Sequence, residues 1–430
     1  MKPRRATIDL TWNGAAVTTK LKDFLLSATY TDPACGEADS LELSLRNNGL
    51  QWSTAWKPQK GDSLYGEIHL EHWDKEGDSR TLPLGQFILD SYSFSGFPQT
   101  ATIQGVSTPA DGGFAGTKRD KVWEQVTVEE IGKEIASRAG IRFVWDVEAI
   151  PLVLISVEQS QQTDAEFYQS LCEDYGYAFK VYAQKMVVYD REEYKKRDSV
   201  GTISVEELQD YSWTTSLAGT YTGGQYSYTD PYTEQTITAT LGGGTRLLVV
   251  SGEASSQADA QRKLQAAMDE ANHSATTASI TIMGNAKLVA SQCIDLVGLG
   301  LLSGKYFIDS ITHTIGSGYT MGLELSLVDN MTDAALQDAV TRLSLVGVMA
   351  SPDYWLIHAK DLPYLDGLIL SLSAIIRTNQ GGSSVTTLSE ALSVLAAKGA
   401  INSPDYWSAN ASAVPWLDTL LISAANALTP

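Results

Sequence analysis

Histidines, cysteines and clustered carboxylates are the side chains from which a catalytic or metal site would be built, and this chain scatters them. Its five histidines include one close pair, His69 and His72. The pair falls in a strand-like run, where residues three positions apart point to opposite faces of a sheet. The two imidazoles would therefore diverge, and we expect no metal site there.

The cysteines also lack the spacing of a reactive or metal-binding set. Cys35, Cys172 and Cys293 are widely separated and have no Cys-x-x-Cys motif or histidine-rich flanks. This pattern argues against a disulfide framework or a zinc site, and favours reduced, buried thiols in a protein made in a cytosol. No Cys-His or Ser-His-Asp signature of a wall peptidase is visible. Because triads assemble from distant residues, a hydrolase stays an alternative.

Two other motifs have simple structural interpretations. Glu129, Glu130 and Glu134 are spaced as the solvated face of a helix, with the last two one turn apart. Residues 242–246, Gly-Gly-Gly-Thr-Arg, lack the Gly-Lys-Ser/Thr ending of a phosphate loop and are predicted to be a loop between strands. The sequence therefore predicts no enzyme, no cofactor and no catalytic residue.

The charge balance excludes a simple nucleic-acid-binding protein. Fifty-one acidic residues against 31 basic ones give a net charge of −20. A surface that neutralises phosphates needs an excess of Lys and Arg. An acidic surface instead suits a conduit that nucleic acid passes without sticking, and plain solubility explains the charge equally well.

Neither a secretory signal nor a membrane span is expected from the apolar segments. Residues 1–9 are basic but contain no apolar core of a signal peptide. The longest apolar stretch, residues 362–376, is interrupted by Asp366 and is too short to cross a bilayer.

At 430 residues, the chain is long enough for two to four domains. Short alternating runs and glycine turns predict an antiparallel β domain over residues 1–107. Residues 108–195 are predicted to form an α+β module. One of its helices is capped by Thr127 in a capping box, and a second helix is capped by Asp164.

Residues 196–329 return to strand patterns. The predicted strands lie at 220–222, 236–240, 247–250, 279–282 and 306–309. One helix interrupts them from about residue 257 to residue 273, and Ser256 is placed to cap its N-terminus.

Two hairpin signals, 219 positions apart, are nearly alike. Residues 85–91 read Gly-Gln-Phe-Ile-Leu-Asp-Ser, and residues 304–310 read Gly-Lys-Tyr-Phe-Ile-Asp-Ser. Each is followed by a glycine-containing turn and another strand-like run, so each predicts a β-hairpin. An internal repeat usually means one supersecondary unit used twice. We therefore expect two β domains of like topology that superpose, with Gly85 and Gly304 at equivalent points.

The last hundred residues contain a stronger repeat. Gly347-Val-Met-Ala-Ser-Pro-Asp-Tyr-Trp returns 52 positions later as Gly399-Ala-Ile-Asn-Ser-Pro-Asp-Tyr-Trp. In each copy Ser suits the helix N-cap, Pro suits the first helical position, and Asp suits the positive helix end. Residues 331–430 are therefore predicted to be an all-α tandem repeat, with units at about 331–378 and 385–430 joined by a Gly-Ser link.

Aromatic residues of this repeat are the candidate docking side chains. Adjacent helix residues lie about 100° apart, so the Tyr and Trp of each motif cannot face the same way. We expect one member of each pair in the core and the other at the surface. The candidates are Tyr354, Trp355, Tyr364, Tyr406, Trp407 and Trp416.

Three stretches together resemble the phage late control protein D family, the baseplate hub proteins of contractile tails. The first comprises residues 105–111 and 118–136, which include Lys-Val-Trp-Glu-Gln-Val-Thr-Val-Glu-Glu-Ile, and the second is residues 163–177. The third runs from 258–262 through 304–314 to 318–325, in the same order as in the family. The resemblance covers roughly residues 20–329. The terminal Ser-Pro-Asp-Tyr-Trp repeats depart from it and look like those of some tail and cell-wall-acting proteins.

The resemblance implies a mainly β, α+β protein with two tube-like β-barrel domains, at 1–107 and 196–329. It also implies a homotrimer that adapts a sixfold tail tube protein to a threefold central spike protein. Other baseplate proteins would be partners, and DNA would pass through an acidic channel without specific binding. The expected location is the baseplate of a virion or tail-like injection particle assembled in the bacterial host cytoplasm.

Two alternatives from other classes stay open. One is a tail-associated peptidoglycan hydrolase. The other is a cell-wall- or carbohydrate-binding tail protein, in which exposed aromatics of the terminal repeats act as sugar platforms.

Overall fold

The computed structural model describes residues 3–107, 113–229, 234–299 and 302–328, together with parts of the C-terminal hundred residues. Those parts are 340, 343–345, 348, 354–355, 365, 368, 372, 387–397, 400–401, 403–411, 417, 420–421 and 424. The chain forms two compact units. The first contains residues 1–200, 208–293 and 307–327, and the second contains residues 201–207, 294–306 and 328–430.

The protein is mainly β. In chain order its strands are β1 (Arg5–Trp12), β2 (Ala15–Ala16), β3 (Leu25–Pro33), β4 (Ser40–Arg46), β5 (Ser63–Glu71), β6 (Ser79–Ser95), β7 (Thr100–Val106), β8 (Lys118–Val126), β9 (Arg142–Asp146), β10 (Leu154–Thr163), β11 (Tyr177–Tyr182), β12 (Lys185–Asp190), β13 (Thr202–Ser204), β14 (Leu208–Thr215), β15 (Gly223–Thr229), β16 (Thr236–Gly242), β17 (Leu247–Val250), β18 (Thr276–Met283), β19 (Cys293–Val297), β20 (Gly304–Ile315) and β21 (Tyr319–Leu327).

The described helices are α1 (Thr18–Leu21), α2 (Gly113–Gly116), α3 (Val128–Arg138), α4 (Asp164–Asp174), α5 (Arg191–Lys196), α6 (Gln257–His273), α7 (Leu388–Ala397) and α8 (Pro404–Asn410). Short 3₁₀ helices cover Asn48–Ser53 and Val205–Glu207. Within these described parts, no helix is long and apolar enough to cross a membrane.

Both predicted hairpins form, and they belong to one large sheet. Its strand path runs β14-β18-β21-β20-β3-β4-β7-β6-β5-β1-β2. Strands β20 and β3 pair antiparallel and join the part that holds the second hairpin to the part that holds the first. Through the described residues this path is open at both ends and shows no closed barrel.

The two hairpins sit in matching strand orders. One part of the path reads β3-β4-β7-β6-β5, and the other reads β14-β18-β21-β20, where β20 also pairs with β19, a strand that lies off the path. In both, the central hairpin is flanked by the strand that precedes it in the sequence and, on its other side, by two earlier strands. The buried residues of the echo also match, since Phe87 and Leu89 correspond to Tyr306 and Ile308, all at most 1% exposed.

The glycines of the echo differ. Gly85 adopts a φ of +93° inside β6, next to the bulge where its register with β5 shifts. Gly304 instead begins β20. Superposition of the two parts and equivalence of these glycines stay predictions.

The α+β module follows its capping signals. Thr127 caps α3 in the predicted capping box with Glu130, and Gly140 follows the helix with a φ of +67°. The prediction that Asp164 caps the second helix is wrong. Thr163 caps α4 through a capping box with Glu166, and Asp164 is the first helical residue. The Asp164 carboxylate is buried and accepts hydrogen bonds from the Arg138 guanidinium, at 2.9 and 3.0 Å.

The strands of the module form small sheets. Strand β8 pairs with β10, and β9, β12 and β11 form a three-stranded sheet in which β12 is central. Phe167, Leu171 and Cys172 of α4 are all buried in the core of the module.

A third small sheet lies within residues 196–329. Strands β16-β15-β17 are hydrogen-bonded to one another, and α6 packs on them through Ala260, Leu264 and Met268. Ser256 caps α6 as predicted. The predicted strand at 220–222 is wrong, because these residues form an irregular segment immediately before β15. Residues 243–246 form the predicted loop between strands.

Buried residues of both C-terminal repeats share one apolar core. Residues from the first repeat, such as Leu343 and Leu372, belong to the same buried cluster as Leu395 and Leu421 from the second. Pro404 is the first residue of α8 as predicted, with Ser403 at the N-cap, but the Ser403 side chain makes no capping hydrogen bond. The first copy of the Ser-Pro-Asp capping motif, Gly347, Gly399 and the Gly-Ser link lie outside the described residues.

Candidate functional site

The tyrosine–tryptophan pairs of the C-terminal repeats adopt the same local geometry. Trp355 and Trp407 are buried at 4% and 5% exposure. Tyr354 and Tyr406 are half-buried and pack edge-on against their neighbouring tryptophans, with ring centroids 5.2 Å apart in both copies. The tryptophans therefore fill the core, and the tyrosines are the less buried members. Tyr364 and Trp416 lie outside the described residues, and docking by this set stays a prediction.

The two histidines considered for a metal site occupy different environments. His69 lies in β5, where its Nε2 is 3.1 Å from an Asp9 oxygen and 3.4 Å from a Glu67 oxygen. His72 follows the strand with a φ of +55°, and its Nδ1 accepts a hydrogen bond from the Gly77 amide. In the part of the chain that the structure describes, no group of three His, Cys, Asp or Glu residues is placed to hold a metal.

The three helix glutamates are not simply a solvated face. Glu130 belongs to the capping box, and Glu129 pairs with Lys133 at 2.6 Å. Glu134 accepts hydrogen bonds from the Trp123 indole, at 2.8 Å, and from Lys121. The Glu134 side chain stays 40% exposed, as a solvated face requires, and strand β8 lies beside it and supplies these donors. Its carboxylate braces the helix against β8.

Sequence reasoning missed a cluster of three charges in the part of the chain that the structure describes. Lys180 of β11, whose side chain is 13% exposed, lies between the buried Asp32 of β3 and the buried Asp39, which precedes β4. Its ammonium lies 2.9 Å from an Asp39 oxygen and also contacts an Asp32 oxygen. The other Asp32 oxygen accepts the Ala290 amide at 3.0 Å, and the other Asp39 oxygen accepts the Tyr30 hydroxyl at 2.7 Å.

The pKa values in this cluster follow from burial and pairing. Burial raises the pKa of Asp39 to about 6, against the opposing pull of Lys180. Burial also works against a charged ammonium, but the two carboxylates outweigh it and raise the pKa of Lys180. The cluster therefore holds a cation shared by two acids, which ties the module to the large sheet.

His313 of β20 extends this network without a charge. Its ring stacks on Tyr30 with centroids 5.6 Å apart, and its Nδ1 lies 2.7 Å from the Tyr319 hydroxyl. Burial lowers the pKa of His313 to about 4, with a smaller opposing effect from Asp32. The imidazole is therefore neutral at physiological pH.

A cavity of about 230 Å³ lies beside this cluster and is lined by Asp32, Lys180 and His313 among others. The charges are already paired and the histidine is held neutral by burial. The arrangement therefore suits a structural role, in which it holds β11 of the α+β module against β3 of the large sheet, better than a role in proton transfer. Only the lysine in the middle of the apolar run Tyr-Ala-Phe-Lys-Val-Tyr, residues 177–182, signals it in the sequence.

Comparisons with known proteins point to phage tails. The chain is 24% identical over 376 residues to the probable baseplate hub protein of Escherichia phage 186, a match that covers 74% of this chain and 92% of that protein. It is 28% identical over 163 residues to the probable baseplate hub protein of Escherichia phage P2, covering 37% of this chain and 39% of that protein. No protein-family model matches the sequence.

Solved structures share the fold. The 43 kDa tail protein of prophage MuSo2 from Shewanella oneidensis has a TM-score of 0.59 at 13% identity, over 76% of this chain and 99% of that one. The tail protein from Neisseria meningitidis MC58 has a TM-score of 0.57 at 12% identity, over 75% of this chain and 96% of that one. The fold is therefore one that phage tail proteins use, as the predicted resemblance implied. These likenesses say nothing specific about the Ser-Pro-Asp-Tyr-Trp repeats.

The shared lysine should be essential for stability. We expect Lys180→Met to lower the free energy of unfolding by about 3–5 kcal/mol, because it leaves two buried carboxylates without a cation. Urea unfolding at pH 7.5 measures the loss. Lys185→Met, on the neighbouring strand β12, is the matched control and should cost under about 1 kcal/mol, the scale of a surface substitution. Equal losses in the two variants would contradict a central role for the cluster.

His313 should make the folded protein acid-sensitive. An unfolded imidazole takes up a proton below its ordinary pKa of 6.5, whereas buried His313 resists protonation until about pH 4. Stability is therefore lost as pH falls through this window. Between pH 7.5 and 4.5, the wild type should lose on the order of 2 kcal/mol more than His313→Gln.

Asp39 acts in the opposite direction, because its raised pKa lets the folded state bind a proton first. It is present in both proteins, so its contribution largely cancels from the difference between them. Urea midpoints across the pH range provide the measurement. A stability difference that stays constant with pH would show that His313 is not held neutral.

Proposed function

We propose that this protein is a structural baseplate hub of a contractile phage tail or tail-like particle. The observation that carries the proposal is the 24% identity to the phage 186 hub protein, because it extends over 92% of that protein's length. The shared fold of the two tail proteins supports it independently of sequence. A hub is a scaffold, which agrees with a site in which buried charges are paired for stability.

The proposed assembly is a homotrimer that joins a sixfold tail tube to a threefold spike. Its support within the chain is the repeated strand order, β3-β4-β7-β6-β5 and β14-β18-β21-β20, with β19 paired to β20. Two similar parts per chain give six in a trimer, so a closed threefold ring presents a sixfold set of similar surfaces. The tube-like barrel form of the two parts belongs to this proposal.

The proposed location is the baseplate of the particle, after assembly in the host cytoplasm. The net charge of −20 suits a channel wall along which DNA slides, because few cations are available to hold phosphates. Tube, spike and other baseplate proteins are the proposed partners. We propose no catalytic role, in keeping with the hub and tail names of the relatives.

The C-terminal repeats are proposed to be a docking module for a further partner. Their tryptophans are buried, so contact would come from the half-buried Tyr354 and Tyr406 or from the Pro-Tyr and Pro-Trp corners at 363–364 and 415–416. Both repeats contribute to one apolar cluster, which favours a module that docks as one body.

The stoichiometry of the particle tests the hub proposal. Electron cryomicroscopy of purified tails should show three copies of this chain between the spike and a six-membered tube ring, around a channel with a net acidic wall. A dimer or hexamer of the chain would contradict the symmetry argument. A wall carrying mainly Lys and Arg would contradict the charge argument.

Truncation tests the docking module. A chain that ends at Asp329 should stay soluble and β-rich and should still join tube and spike, because the large sheet lies within residues 1–327. Circular dichroism and co-purification with the tail proteins measure this. Aggregation, or failure to trimerise, would place the repeats in the hub core, in line with the grouping of 328–430 with 201–207 and 294–306 in one compact unit.

A further inference from the structure

An aromatic cavity lies in the N-terminal β region, away from the Lys180 cluster. It has a volume of about 280 Å³, and its wall includes Trp12 at the end of β1, Trp52 in the 3₁₀ helix and Trp56 in the loop that follows. Trp12 and Trp52 stack with centroids 6.5 Å apart, and Trp56 meets Trp52 edge-on at 5.5 Å. Trp56 is 43% exposed, so one wall of the cavity is open to an incoming group.

The polar atoms at the base of this cavity are already engaged. The Trp12 indole donates to an Asp62 oxygen at 3.0 Å, and the Trp52 indole donates to the Arg46 carbonyl at 3.1 Å. The Asp62 carboxylate also accepts the Asn13 side-chain amide and the Gln59 backbone amide. Inside the cavity, only ring faces and aliphatic groups are available for contact with an occupant. The part of the occupant that enters must therefore be apolar.

Two lysines give the border of the cavity a local positive charge. Lys20 of α1 and Lys57, next to Trp56, both line it and are both exposed. Among the described residues, no carboxylate lies within salt-bridge distance of either ammonium. Two such lysines are notable in a chain of net charge −20. They complement a negative group held beside the apolar one.

We propose that this cavity receives a segment of another protein that inserts an aromatic or branched aliphatic side chain and carries Asp or Glu beside it. The apolar side chain fills the space between the tryptophans, and the carboxylate pairs with Lys20 and Lys57. An anchor in an aromatic pocket with charges at the border is the arrangement that concentrates binding energy at protein interfaces. The volume suits one large side chain, below the usual range for small-molecule sites.

A peptide fits this surface better than a sugar. A carbohydrate stacked on a tryptophan still needs polar partners for the hydroxyls around its ring. Both inner indoles and the Asp62 carboxylate are occupied by internal hydrogen bonds, so only the two lysines would be left for those hydroxyls.

A peptide selection tests the proposal. A random heptapeptide library in mRNA display is selected on the immobilised full-length chain, and the affinity of the most enriched peptide is measured by fluorescence anisotropy. We expect enrichment of sequences with Phe, Tyr, Trp, Leu or Ile next to Asp or Glu. The double variant Lys20→Glu, Lys57→Glu should bind that peptide at least about tenfold more weakly, and Trp56→Ala should do the same.

The matched control is Lys75→Glu, Lys196→Glu, which makes the same change in net charge at exposed lysines outside the cavity. It should leave affinity within about twofold, which separates local pairing from the overall field. The Lys20, Lys57 variant alters only exposed side chains, so it stays informative even if Trp56→Ala disturbs packing against Phe24. Enrichment without acidic residues, equal losses in the two double variants, or Trp56-dependent binding of glycans instead of peptides would overturn the proposal.

Discussion

The placement of the α+β module depends on one largely buried cluster of three charges. Lys180 comes from the sheet of the module, and its partners Asp32 and Asp39 come from the large sheet and the turn beside it. Taking three charges out of water is costly, and the cost is recovered only if all three stay together with their hydrogen bonds made. Any shift of the module would separate the ammonium from the carboxylates. Two backbone-linked contacts reinforce this position, from the Gly36 amide to the Phe179 carbonyl and from the Tyr189 hydroxyl to the Ala34 carbonyl.

The other side of the module is fixed by helix α6. The Arg262 guanidinium of this helix donates to the Tyr175 carbonyl at 2.7 Å and pairs with Asp190 at 3.3 Å, while Arg191 of the module pairs with Glu270 of the helix. Arginine suits these positions because its planar group can serve a carbonyl and a carboxylate together. The module is thus held between the large sheet and a helix that is inserted between β17 and β18.

Local signals were readable in the sequence, and distant pairings were not. The capping box at Thr127, the Ser256 cap and both hairpins depend on residues a few positions apart, and the structure contains them. Asp164 was misread as a cap because Thr163 and Glu166 offer the better reciprocal pair, which frees Asp164 for a buried contact with Arg138. The Lys180–Asp32 pair joins residues 148 positions apart, and no periodicity reports such a contact. Nothing in the sequence indicated that both hairpins belong to one sheet. That depends on the pairing of β20 with β3, two strands that are far apart in the chain.

Tryptophans that recur in the repeats and a tryptophan that occurs once have different roles in this protein. A tryptophan that recurs at the same place in two repeats is expected to pack in the same way in both. Trp355 and Trp407 are buried in one core and make matching contacts with their neighbouring tyrosines. Repetition of an aromatic therefore points first to packing, since each helical unit must bury its own apolar face. Trp56 has no counterpart in a repeat and stands 43% exposed beside Lys57, which has no carboxylate within salt-bridge distance among the described residues. The Trp56 ring packs edge-on against Phe24 and Trp52, and the part left in water lines an open cavity together with Lys20 and Lys57. An aromatic wall with charges at its border is the kind of surface that anchors a partner, so this cavity is where a partner is to be sought.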